Sequence, residues 1–251
     1  MNSDCRIKTE KTAIGSVKML QVQGDWRSEY LDRALDSACN GVQWHTDGGR
    51  DVSCDPLLPL AGNLVFLRVR SRKRMNDSAI EEFEQLKFLS ATTRAKNPLD
   101  LERLGRLHNL LVDDRVGLNR LNHAHLQAAT VYFNSRSLSF FEACPQIEAI
   151  QLESRPDQPV ELTARLTNLK SLRISGGHVV SLEGLEAPNI EVISLDRLAA
   201  TSSINIAPLA SAGHLRHFSI TGKAAVALSG LDAISGHKDI NIAIDSNVTL
   251  Q

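Results

Sequence analysis

Leu166-Thr-Asn-Leu169-Lys-Ser-Leu172-Arg-Ile174-Ser-Gly-Gly-His178-Val-Val180-Ser-Leu182-Glu-Gly-Leu185 is followed, after four residues, by Ile190-Glu-Val-Ile193-Ser-Leu195. The shared unit is apolar-x-x-apolar-x-apolar. Its last half reads as a short strand whose alternate residues point inward, entered from a turn that buries one more side chain. Leu-Arg-Ile-Ser from 172, Ile-Ser-Leu-Asp from 193, Phe-Ser-Ile-Thr from 218 and Ile-Ala-Ile-Asp from 242 all alternate with period two. That period argues for strands against the competing all-helical repeat, which L-x-x-L alone would also allow.

Moved outward, the template fits upstream at Ile147/Ile150/Leu152, Leu126/Ala129/Val131, Leu107/Leu110/Val112, Phe83/Leu86/Phe88 and Leu64/Leu67/Val69, and more weakly at Cys39/Val42/Trp44 and Val17/Leu20/Val22. Downstream it fits Leu215/Phe218/Ile220 and a degenerate copy at Asp239/Ile242/Ile244. First positions are spaced by 19 to 25 residues. Between strands, apolar pairs three apart recur at Leu182 and Leu185, Ile206 and Leu209, and Leu228 and Leu231, and Leu57, Leu58 and Leu60, Leu101 and Leu104, and Leu118 and Leu121 look like the same element earlier. Such a pair pins a single 3₁₀ or helical turn. Longer helices are expected only over Glu29–Ala38 or Asp77–Leu89.

These repeats resemble those of internalins and related bacterial leucine-rich-repeat proteins, with L-x-x-L-x-x-L-x-L, a polar turn, an apolar pair and L-x-x-L. The resemblance is strong over 64–231 and weaker over the rest of 17–245. It implies a leucine-rich-repeat solenoid of the α/β class, wound as a right-handed superhelix. A parallel sheet of about 10–11 short strands would line the concave face, with 3₁₀ or short helical turns on the convex one. Residues 1–16 are read as an N-terminal cap and 17–251 as one solenoid domain. One feature departs from the family. The turn position usually held by Asn carries Arg72, Ala91, Arg115, Asn134, Arg155, Gly177, Leu198 and Lys223. Backbone or water hydrogen bonds are expected to stand in for the missing amide ladder.

Composition points the same way. Hydrophobic residues make up 42% of the 251 but aromatics only 4%, so the core must be aliphatic, which suits thin stacked layers. A formal net charge of -1 offers no attraction to nucleic acid or an anionic membrane, and neither is expected as a partner. The polar N-terminus lacks the apolar run of a signal peptide, and no stretch approaches a membrane span. Cytoplasmic location follows as the expectation, with Cys5, Cys39, Cys54 and Cys144 as reduced thiols.

No nucleophile-elbow, phosphate-loop, dinucleotide or zinc-protease motif occurs, so no enzymatic activity, cofactor or metal is expected. His123 and His125 read as solvated turn residues rather than half a metal site. The polar stretch His45–Asp55, with Asp47, Asp51 and Cys54, reads as an insertion. It is also where an active site would sit in the alternative reading as an enzyme.

On the concave face, the exposed strand positions are read as Arg68 and Arg70, Lys87 and Leu89, Leu111 and Asp113, then Tyr132, Glu153, Arg173 and Asp196. A basic patch (Arg68, Arg70, Arg72, Lys87) would border an apolar centre (Leu89, Leu111, Tyr132) flanked by acids. This is the composition of a protein-binding hot spot. The functional reading is a non-enzymatic protein-interaction module, in its sharper form an immunity or antitoxin-type inhibitor that occludes a toxin. Its rival is a secreted effector or substrate-recognition protein. The chain is read as a monomer, or a weak homodimer through its C-terminal repeat.

Overall fold

The computed structural model of the protein describes residues 4–48, 52–115, 118, 121–134, 137–155, 159–179, 182–199, 203–222, 226–236 and 240–250. Val180, Lys223, Asp51, Asp239 and the Asn134 side chain lie outside them. Contacts divide the chain into two compact units, 1–126 and 127–251.

In the first unit, β1 (Cys5–Thr12) pairs antiparallel with β2 (Gly15–Gln23). Then β3 (Gly41–Thr46), β4 (Phe66–Ser71), β5 (Phe88–Thr92) and β6 (Asn109–Asp113) add in parallel, each beside its predecessor. Within the second unit, β7 (Ala128–Asn134), β8 (Ala149–Ser154), β9 (Ser171–Ser175), β10 (Val192–Leu198), β11 (His217–Gly222) and β12 (Asn241–Ile244) run parallel, each beside its predecessor. In-register pairing aligns equivalent repeat positions, so Ile150, Leu172, Ile193, Phe218 and Ile242 form one row. The first four of these are at most 1% exposed, whereas Ile242 and Ile244 are only half-buried. Burying each such side chain stabilises the fold by roughly 1.5–3 kcal/mol.

Behind the sheet, a spiral of i to i+3 backbone hydrogen bonds runs into each strand. Leu104 N donates to Leu101 O (3.0 Å) and Leu107 N to Leu104 O (2.9 Å); Leu209, Ala212 and Leu215 repeat the pattern at 2.9 Å each. Every third side chain of this spiral is buried. The segment Asp77–Leu89 follows suit: a 3₁₀ turn over Ser78–Glu82, not a longer helix. Its apolar residues Ile80, Phe83, Leu86 and Leu89 recur at three, the 3₁₀ period, rather than 3.6. The one longer helix among the described residues, α1 (Ser28–Asp36), buries Tyr30 and Ala34.

That period of three also corrects the template at this repeat. Its inward residues are Leu86, Leu89 and Ala91, all wholly buried. Leu89 pairs with Leu67 and Ala91 with Val69, three residues later than Phe83/Leu86/Phe88. Phe88 belongs to the opposite side of the sheet. The first fit, Val17/Leu20/Val22, is corrected at its first position too: Val17 packs with Met19, Phe66 and Phe88 rather than with the Leu20 side.

The missing turn amides are replaced in the first unit by a buried ion pair, not only by backbone bonds. Arg115 Nη1 donates to Asp77 Oδ2 at 2.7 Å, with both side chains wholly inaccessible. Thr93 Oγ1 donates to the same carboxylate oxygen at 2.6 Å and accepts from Arg115 Nη2 at 3.2 Å. A guanidinium has the reach and donor number to cross-link turns from successive repeats, which a single amide lacks. The second unit has side-chain amides at the turns before two of its strands, β9 and β10: Asn168 donates to Pro145 O (2.7 Å) and Asn189 to Thr167 O (2.8 Å).

Candidate functional site

Strand alternation places three rows of side chains on the open face of the first unit, opposite the core. In the first row, Met19, Gly41, Phe66 and Phe88 are paired neighbours. The glycine leaves room for Val17: a Cβ at position 41 would lie 2.4 Å from Val17 Cγ1. Phe66 and Phe88 stack with ring centroids 4.3 Å apart and planes 4° from parallel. With Val17 and Met19 they make a small apolar cluster on the open face, joined by the partly buried Ile14 and Leu111.

The second row is Gln21, Gln43, Arg68, Ser90 and Leu111, and the third is Gln23, His45, Arg70 and Thr92. A polar ladder crosses them. Arg6 Nε donates to Gln21 Oε1 (2.7 Å), Gln21 Nε2 to Gln43 Oε1 (3.2 Å), and Gln43 Nε2 lies 3.4 Å from His45 Nε2. The Arg68 guanidinium sits 5.6 Å from the centroids of both Phe66 and Phe88. Burial, and then the charges of Arg70 and Arg68, hold the His45 imidazole below its ordinary pKa, which favours the neutral ring.

Of the first-unit residues expected on this face, Arg68, Arg70 and Leu111 are there. Leu89 is not: it is wholly buried on the core side. Lys87 precedes β5, where its carbonyl accepts from His108 N and Asn109 N, so it leaves the row to Ser90 and Thr92. Asp113 is 5% exposed and accepts from Arg94 N at 2.7 Å, so it is no exposed flanking acid. Burial raises its carboxyl pKa against the lowering effects of that hydrogen bond and of Arg115.

In the second unit the open face carries Thr130, Gln151, Arg173, Ser194, Ser219 and Ala243 in one row, and Tyr132, Glu153, Ser175 and Asp196 in the next. Glu153 accepts from Gln151 Nε2 (3.3 Å), and Asp196 from Ser194 Oγ (3.2 Å) and Thr221 Oγ1 (3.5 Å). Sequence reasoning missed Phe133, which is 51% exposed. Alternation after the outward Tyr132 would turn it inward. A left-handed backbone (φ 57°) and a register shift in β7 turn it out instead, with the Arg155 guanidinium 5.9 Å from its ring.

No family model matches the sequence, and no curated protein does. Among solved structures, an internalin F of Listeria monocytogenes superimposes with a TM-score of 0.53 at 13% identity, over 92% of this chain and 74% of that one. An internalin C2 of the same organism is 18% identical, with a TM-score of 0.35 over 93% and 80%. The fold is a leucine-rich-repeat solenoid. As in the sequence reading, the likeness is to internalin repeats, and it is of fold.

The remaining candidates of this solenoid separate. His45 lies on the open face, while Cys54, nine residues on, is wholly buried and its thiol pKa is pushed up, mainly by desolvation. Asp47 reaches Arg72 at 3.7 Å in solvent. His123 corrects the reading of a solvated turn: it is 3% exposed, with Nε2 2.7 Å from Leu104 O. The ring thereby bridges this turn to the spiral of the preceding repeat. His125 instead lies beside His108, ring centroids 6.2 Å apart. Among the described residues no three His, Cys, Asp or Glu side chains group as metal ligands, and the four cysteines are buried and in no disulfide.

Proposed function

We propose that this repeat protein is a non-enzymatic interaction module that holds a protein partner on the open face of its strands. One observation carries the reading: Arg68 and Arg70 project from neighbouring rows of a hydrogen-bonded parallel sheet, and no ion pair among the described residues engages either. A face held in place before binding loses little conformational entropy when it binds. Leu111 in the first unit, and Tyr132, Glu153, Arg173 and Asp196 in the second, are the other residues proposed to touch the partner. The narrower form of the reading is an inhibitor of the immunity or antitoxin type, acting by occlusion. Weak self-association through the last repeat belongs to the same proposal, because Ile242 and Ile244 are less covered than their equivalents.

Affinity capture from the native lysate, quantified by mass spectrometry, tests the face. Wild-type protein should retain a stoichiometric partner that a variant with Arg68→Glu and Arg70→Glu, and separately Tyr132→Ala, releases. Equal retention by every variant removes this face from consideration. Inhibition of a captured partner's activity by the purified chain tests the narrower form.

A further inference from the structure

The guanidinium of Arg68 has a built seat. Phe66 and Phe88, 2% and 9% exposed, stack in parallel beside it, and Val17 and Met19 back them on the same face. The guanidinium lies 5.6 Å from each centroid, which for two parallel stacked rings puts it beside the stack, with the face of at most one ring towards it. No hydrogen bond among the described residues uses the Arg68 donors. Its planar N–H fork is thus left for a planar acceptor from outside. Arg70 is two residues along the same strand and therefore on the same side, roughly 7 Å away by strand rise. Around them are amides, hydroxyls and one imidazole, with no carboxylate: Gln43 and Ser90 beside Arg68, His45 and Thr92 beside Arg70. The acid closest in register, Asp113, is turned into the Arg94 amide.

We infer that this seat takes a carboxylate, so that the partner presents an acidic segment whose Glu or Asp side chains fork onto Arg68 and reach Arg70. The inference rests on the reading of the chain as an interaction module and adds the partner's chemistry. A nucleic acid fits less well. The two rings are buried beside the guanidinium, so they offer no stacking platform to a base, and two neighbouring arginines are far short of a phosphate track.

Fluorescence anisotropy of labelled deca-glutamate with the full chain tests it, with deca-lysine and a ten-residue oligothymidylate as comparison probes. Deca-glutamate should bind, more weakly as salt rises, and Arg68→Gln or Arg70→Gln should each weaken it about tenfold, as for loss of a charge-assisted pair. Arg68→Lys keeps the charge but not the fork and should weaken it about threefold. Arg106→Gln, exposed on the turn before β6 and away from the open face, should change nothing. Thermal melting reports whether each variant folds, and Arg70→Gln and Arg68→Lys decide the matter if Arg68→Gln does not. Deca-glutamate that fails to bind, binds Arg68→Gln as well as wild type, or binds less tightly than the oligothymidylate overturns the inference. If it fails while capture is still lost in the Arg68→Glu, Arg70→Glu variant, the acidic segment falls and the interaction module stands. If it binds while capture persists, the module's face falls instead.

Discussion

Arg115 donates to Asp77 across 2.7 Å with neither side chain reached by solvent. Thirty-eight residues separate them in sequence, so the pair ties one repeat's turn to another's. Removing one partner of a buried pair leaves an uncompensated charge. Asp77→Ala should therefore cost about 3–5 kcal/mol in urea unfolding. Thr93→Val, which removes only a hydroxyl from the network, should cost about 1–2 kcal/mol. Equal, small losses in both would mean that the ion pair does not tie the turns.

Substitutions at neighbouring residues of β5 distinguish its register. Leu89→Ala should destabilise by about 2–5 kcal/mol, as for other buried leucines. Ser90→Ala, which removes one hydroxyl from the opposite side of the sheet, should cost no more than about 1 kcal/mol. The register read from sequence alone, with Phe88 inward and Leu89 exposed, would make Leu89→Ala the harmless change.

The close approach between Gly41 and Val17 predicts a reciprocal pair. Gly41→Ala places a methyl 2.4 Å from Val17 Cγ1 and should cost about 1–3 kcal/mol by overcrowding. Combining it with Val17→Ala should recover part of that loss, so the double-mutant cycle shows a favourable coupling rather than additivity.

Lowering the pH should weaken the fold through His123. Its pKa is depressed from the ordinary 6.5, chiefly by burial and further by the charges of His125 and His108, against a raising hydrogen bond to Leu104 O. The folded state thus prefers the neutral ring. Its contribution is complete above 6.5 and is lost as the pH falls through that value towards the folded pKa. Urea midpoints should drop between pH 7.5 and 5, and less steeply in His123→Gln. An unchanged slope in that variant would falsify the assignment.

Much of this architecture can be read from leucine positions. Leu64, Leu67 and Val69, or Leu169, Leu172 and Ile174, mark inward positions wherever strand alternation breaks cleanly from the turn before it, and they are buried as read. The reading slipped where the turn itself was apolar at every third residue: Ile80, Phe83, Leu86 and Leu89 match the template in more than one frame. Pairing with β4 resolves the frame, because only one register sets Leu89 beside Leu67 and Ala91 beside Val69.

Period and composition are local properties. They were enough to establish a stack of strand-and-turn repeats with an aliphatic core and to place Arg68, Arg70 and Tyr132 on its open side. The stack of Phe66 on Phe88, the Arg68 seat, the Asp77–Arg115 bond and the outward turn of Phe133 were settled in three dimensions. Each depends on which residue of one repeat lies opposite which residue of another, or on a single left-handed backbone angle. Alternation along one strand carries no information about either.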